Sequence, residues 1–225
     1  MNSEMRSFPL FLAGLILLAT ARLTARFHPE VLREVDATMT RAILEKKLPG
    51  GIIWIEREGQ TWQKAYGQRE VRPRTEPTTP DTLYDMASLT KVLATAPAIL
   101  ILAEQGRLDL DAPVAKYIPA FTGHGREAVT LRHLLTHTSG LTYPFSEYGR
   151  VEEMYREALV VENNPLEQMV GELARLPLAF QPGTLWRYSL SQDVAAHLVE
   201  VLSGQPFGDY LSEHILKPLG MTDTG

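Results

Sequence analysis

"LYDMASLTKVLATAPAILILAEQG", residues 83–106, sets one cation, Lys91, at the head of a long apolar run, three residues after Ser88. On a helix, positions i and i+3 share a face with Cβ atoms about 5–6 Å apart, so this spacing brings an amine within reach of a hydroxyl. A serine hydroxyl is a weak nucleophile until a neighbouring base takes its proton. Lysine is that base only when neutral, and its unperturbed pKa is about 10.4. Two features predict a lowered value here. Val92, Leu93, Ala94, Ala96, Ala98, Ile99, Leu100, Ile101 and Leu102 make the helix apolar all round, which predicts burial, and burial disfavours an ammonium. The partial positive charge of a helix N-terminus repels a cation as well. A capping serine beside a lysine that snorkels to water would produce the same letters, and the apolar helix behind them is what favours chemistry.

Composition narrows the classes. The chain has 225 residues, 44% hydrophobic and 22% charged, an ordinary globular balance. Its net charge of −5, with acidic and basic residues interleaved, offers no basic stripe for nucleic acid. The absence of cysteine excludes disulfides, thiolate zinc sites and a cysteine nucleophile. At the N-terminus, Arg6 precedes "FPLFLAGLILLATA", and Ala19-Thr20-Ala21 or Leu23-Thr24-Ala25 follows as a small-residue cleavage site. This run is too short for a stable membrane span, which needs roughly 20 residues, so residues 1–25 read as an export signal to the periplasm or exterior. An uncleaved N-terminal helix in a cytoplasmic protein is the alternative.

Residues 26–225 carry no repeat or linker. Val31, Val35, Met39 and Ile43 form a helical stripe that Pro49-Gly50-Gly51 stops. "GIIWIEREGQTWQKAYGQRE" predicts two strands turning at Glu58-Gly59-Gln60, and "VRPRTEPTTPDT" predicts a loop. The apolar helix then spans 88–105. Asp111 is the expected N-cap of a helix with Pro113 in its first turn, and Thr130 caps "LRHLLTH". Further helices are expected at "PLEQMVGELARLP", at "QDVAAHLVEVLSG" from Ser191, and from Pro206 to Ile215. Two strands alone make a poor sheet, and the rest of the chain supplies no partners.

Other motifs carry weaker signals. His133 and His137 have the i, i+4 spacing of a zinc site, but Leu134 stands where a metalloprotease has its glutamate, so no metal is expected. Ser139 beside His137 lacks a Gly-x-Ser-x-Gly elbow, and "HTSG" reads as a helix-closing turn. Tyr188, after "QPGTLWR", is either a core aromatic or a phenol set against Ser88.

Taken together, "DTLYDMASLTKVLATAPAILILAEQGRLDLDAPVAKYIP", "LRHLLTHTSGL" and "QPGTLWRYSLSQDVAAHLVEVLSGQPFGDYLSEHILKPLGMTDTG" resemble the serine β-lactamase-related hydrolases, which include class C β-lactamases, D-Ala-D-Ala carboxypeptidases and esterases. The resemblance runs from about residue 30 to 225. It implies an α+β fold of the β-lactamase/transpeptidase kind, with a helical domain and an antiparallel-sheet α/β domain. It also implies Ser88 as the acylated nucleophile, with Lys91 and Tyr188 sharing proton transfer and no cofactor. Leu190 occupies the asparagine position of the family's Tyr-x-Asn box, which points to the esterase branch and short-chain ester substrates. A β-lactam or D-Ala-D-Ala peptide, or a non-catalytic fragment that only binds such ligands, is the alternative. The family's Lys/His-Thr-Gly strand has no counterpart, since Asp223-Thr224-Gly225 merely continues "LKPLGMTDT". Residues 26–225 are therefore read as the N-terminal part of such a domain, with an incomplete sheet and little activity by themselves.

Overall fold

The computed structural model describes residues 27–145, 149–158 and 164–225. The proposed export signal, 1–25, lies outside the described residues. The chain divides into two compact units at Leu83/Tyr84.

In the first unit, helix α1 (Pro29–Leu44) precedes an antiparallel sheet of order β1 (Gly50–Arg57), β2 (Gln60–Glu70) and β3 (Glu76–Pro77). Arg57 pairs with Gln60, so Glu58-Gly59 is a two-residue hairpin loop with φ of 51° and 75°. Both values are positive, as a turn that matches strand twist requires. The short β3 is an addition to the two expected strands. It falls inside the Pro/Thr-rich stretch, where Pro77 supplies no N–H and so suits an edge. Tyr66 ties α1 to β2 by donating its hydroxyl to Asp36 Oδ1 at 2.6 Å, and Lys64 Nζ lies 2.8 Å from the same oxygen. Burial and the Asp36 contact push the Tyr66 phenol up to about 12. Tyr66 and Thr78 are the buried residues of this unit among those described.

The second unit is helical: α2 (Ala96–Glu104), α3 (Leu131–Leu135), α4 (Arg150–Glu157), α5 (Leu166–Leu173), α6 (Ser191–Ser203) and α7 (Phe207–Leu211). Ile99, Leu102, Leu131, Leu134, Leu173 and Leu198 are sealed in its core, each stabilising by about 1.5–3 kcal/mol relative to exposure. Thr130 caps α3 as expected: its hydroxyl accepts the His133 N–H, and His133 Nδ1 accepts the Thr130 N–H. Gly204, left-handed at φ 73°, ends α6.

Three expectations need correction. Asp111 caps no helix, because its carboxylate is held bidentately by Arg132 at 2.7 and 2.9 Å, and a single 3-10 turn, Val114–Lys116, follows Pro113. Helix α4, whose Val151, Met154 and Tyr155 pack on the core, was not anticipated in "RVEEMYRE". The stretch after Ser88 is not one regular α-helix either. A 3-10 turn (Ala87–Leu89) leads into a π-turn (Lys91–Thr95), where the Ala96 N–H reaches back to the Lys91 carbonyl, and only then into α2. Pro97 gives the reason: it has no N–H, and its ring would strike the carbonyl four residues back in a regular helix. Nor is this helix buried all round. Ala98, Ile99 and Leu102 are fully enclosed, whereas Val92, Leu93 and Leu100 are about half exposed or more.

Candidate active site

Asp85 begins the site. Its Oδ1 accepts the Ala87 N–H at 2.8 Å, and Ala87 takes φ 43°. An alanine in the left-handed region costs about 1–2 kcal/mol, a strain that persists only where surrounding contacts impose it. The bend places Ser88, exposed, on the 3-10 turn, and Ser88 Oγ accepts from Lys91 Nζ at 3.4 Å.

Two tyrosines close around the same ammonium. Lys91 Nζ lies 5.1 Å from the Tyr188 ring centroid and 5.9 Å from that of Tyr143. The two rings stack at 5.6 Å, and Phe145 also stacks on Tyr143, at 4.9 Å. Backbone pairing delivers both. The segment 137–142 is bonded on one side by the Arg187 N–H to the His137 carbonyl (2.8 Å) and the Leu190 N–H to the Thr142 carbonyl (3.4 Å). On the other side, the Ala179 N–H reaches Gly140 and the Gly183 N–H reaches Thr138. Gly140 is required within this sandwich: φ is 88°, and a Cβ would lie 2.3 Å from the Phe180 carbonyl oxygen. Beneath it, buried Glu152 takes the Thr142 hydroxyl and Arg187 Nη1, both at 2.8 Å, anchoring the two segments that carry Tyr143 and Tyr188.

The electrostatics depart from expectation. Burial is the largest single influence on Lys91 and pulls its pKa down, but interaction with the Tyr188 and Tyr143 phenols outweighs it, and the net shift is upward. The lysine is thus an ammonium at rest, contrary to the lowered value expected from an apolar helix. The half-exposed faces of Val92 and Leu93 supply less desolvation than a sealed helix would. Burial, then the Lys91 charge, lowers His137. Burial, then Asp193, raises Tyr143, against the pull of Lys91. Asp193 is raised by burial and drawn back by Lys91. Lys91, Thr95, Gln192 and Asp193 line a cleft of about 270 Å³ that Ala87 and Phe207 also border.

Ser88, Lys91 and Tyr188 therefore converge, as their sequence positions alone could not establish. Tyr143 joins them unannounced, a tyrosine soon after the "HTSG" turn being its hint in the sequence, and so does His137, which the sequence had offered as a zinc ligand or a neighbour of Ser139. Leu190, 2% exposed, belongs to the core. His133 is engaged in the α3 cap, and among the described residues no three His, Asp or Glu side chains group as metal ligands.

The chain belongs to the beta-lactamase family, whose sequence signature matches residues 31–225. Esterase EstB of Burkholderia gladioli is 37% identical over 199 residues, covering 85% of this chain and 50% of its own length. Monacolin J acid methylbutanoyltransferase of Aspergillus terreus is 32% identical over 223 residues, covering 88% and 52%. Among solved structures, EstCE1, a hydrolase with promiscuous acyltransferase activity, superimposes with a TM-score of 0.77 at 29% identity, covering 85% of this chain and 52% of that one. The fold is thus α+β, of the β-lactamase/transpeptidase-like kind. The chain spans about half the length of the curated relatives it matches.

Proposed function

We propose that this protein is a serine hydrolase that acts on short-chain carboxylic esters through an acyl-enzyme. The observation that carries the reading is the position of Lys91 Nζ, 3.4 Å from Ser88 Oγ and 5.1 Å from the Tyr188 ring. Ser88 Oγ attacks the ester carbonyl while its proton passes to the Lys91–Tyr188 pair. Backbone N–H groups, that of Ser88 among them, hold the oxyanion. Collapse of the tetrahedral intermediate breaks the bond to the alcohol, which takes the proton back. Water then attacks the acyl-serine by the same route and frees the acid. An acceptor alcohol in place of water gives acyl transfer, as the similarity to an acyltransferase allows. No cofactor enters this scheme, and the substrate is a small molecule. The N-terminal segment supports export to the periplasm or exterior.

A β-lactam is the second reading, favoured by the family itself. Leu190 supports the ester, because its buried apolar side chain offers no amide to hold a lactam. For protein expressed from its own reading frame, kcat/KM for p-nitrophenyl butyrate should exceed that for a chromogenic cephalosporin; the reverse order would overturn the ranking.

The Lys91 shift fixes the sign of the pH dependence. An ammonium whose pKa lies above its ordinary value must lose its proton, directly or through the Tyr188 phenol, before the pair can accept one from Ser88. Enzymatic kcat/KM should therefore climb from neutral pH into the alkaline range once background hydrolysis is subtracted. A profile already flat at pH 6 would show a base that is free at rest, against this assignment.

A further inference from the structure

Behind Tyr188 lies a buried row of hydroxyls that the proposed reaction does not use. The Leu141 N–H donates to Ser139 Oγ at 3.1 Å, Ser139 Oγ lies 2.7 Å from Ser191 Oγ, Ser191 Oγ 2.7 Å from Ser189 Oγ, and Ser189 Oγ 3.4 Å from His137 Nδ1. All three serines are completely enclosed. Each hydroxyl has one proton to give, and the amide at the head of the row can only donate. Ser139 must then give its proton to Ser191, Ser191 to Ser189, and Ser189 to His137 Nδ1. The opposite polarity would strand the Ser139 proton in the interior without an acceptor.

The one-way row decides the state of the imidazole. Nδ1 accepts, so the ring is neutral and carries its proton on Nε2. Protonating Nδ1 would set two donors against each other and require three buried hydroxyls to turn round. It would also create a second cation close to Lys91, the charge that acts on this ring. Tyr188 lies against the ring, and Arg187 gives its N–H to the His137 carbonyl while its guanidinium bonds Glu152. The ring sits 4.6 Å from the Tyr188 ring at 44°, with Trp186 edge-on at 6.2 Å, and the residue is locked at φ 56°.

We propose that His137 is a positioning residue: a neutral imidazole, fixed as the Nε2–H tautomer by the Leu141-to-Ser189 row, that holds Tyr188 beside Lys91. Its effect on turnover rests on the hydrolase reading above; its tautomer does not.

The chain has 6 histidines, so His137 is assigned by its loss in His137→Asn protein labelled with 15N-histidine. Long-range 15N–1H correlation at pH 7 should show the Nε2–H tautomer; an Nδ1–H tautomer or a cation would overturn the proposal. Ser189→Ala removes the donor to the neutral ring and should raise its protonation constant by on the order of tenfold. Ser191→Ala leaves Ser189 able to donate and should shift it less. Equal shifts, or none, would show that the row does not set the state of the ring. Asparagine tolerates the left-handed backbone and keeps an acceptor for Ser189. Folded His137→Asn should thus lose roughly tenfold or more in kcat for p-nitrophenyl butyrate with KM held to about twofold, and unchanged kcat would refute the positioning role. Failure of the hydrolase reading has its own signature, a wild-type Ser88 that no fluorophosphonate labels while the tautomer result stands.

Discussion

Ser88→Ala should lower turnover of p-nitrophenyl butyrate by roughly 10³-fold or more and abolish the covalent fluorophosphonate adduct seen by intact-protein mass. The size follows from the role proposed for Ser88: with the attacking oxygen gone, neither base nor oxyanion hole has an acyl-enzyme to stabilise. Other hydroxyls nearby are poor substitutes. Ser139, Ser189 and Ser191 are fully enclosed and hydrogen-bonded to one another, whereas Ser88 stands exposed beside Lys91. Equal labelling of wild type and Ser88→Ala would mean that the nucleophile lies elsewhere. Lys91→Ala should leave the adduct possible but slow its formation, separating the base from the nucleophile.

The second large effect is structural. Glu152→Ala should cost about 3 kcal/mol of stability, because the glutamate is 2% exposed and accepts from both Thr142 and Arg187. Truncating such a pair from one side forfeits both hydrogen bonds to the buried carboxylate while the groups that donated them stay in place, a larger loss than removing both partners. Calorimetry should record a melting temperature lower by about 6–12 °C for a domain of this size. Glu152→Gln, which keeps an acceptor for Thr142, should lose less. A melting point within about 1 °C of wild type in Glu152→Ala would show that the pair does not anchor these segments.

Local rules were enough to read much of this molecule. The α1 stripe, the Glu58-Gly59 hairpin, the Thr130 cap and the Gly204 stop each depend on residues within a few positions of one another. The same holds for the Ser88–Lys91 contact, which is a matter of one turn. Pairings made across the chain were not readable in this way. Asp111 resembles an N-cap until Arg132, 21 positions on, takes its carboxylate. Tyr188 meets His137 because segments 137–142 and 187–190 bond side by side, and nothing in either segment alone specifies the other. Lys91 misled for a related reason: its apolar neighbours in sequence promised a sealed helix, while the groups that raise its pKa come from residues 143 and 188.

The π-turn at Lys91–Thr95 has a consequence for how this stretch can change length. A wide turn holds one residue more than a regular one, and one residue of α-helix corresponds to about 100° of rotation. Deleting a single residue between 92 and 95 would shorten the wide turn to the length of a regular one and leave the Ser88–Lys91 pair near its present angle relative to Ala98, Ile99 and Leu102, whereas the same deletion inside α2 would swing it by about 100°. The wide turn therefore acts as a length buffer, absorbing a one-residue change between the reactive pair and the packed helix that regular winding would convert into a change of angle.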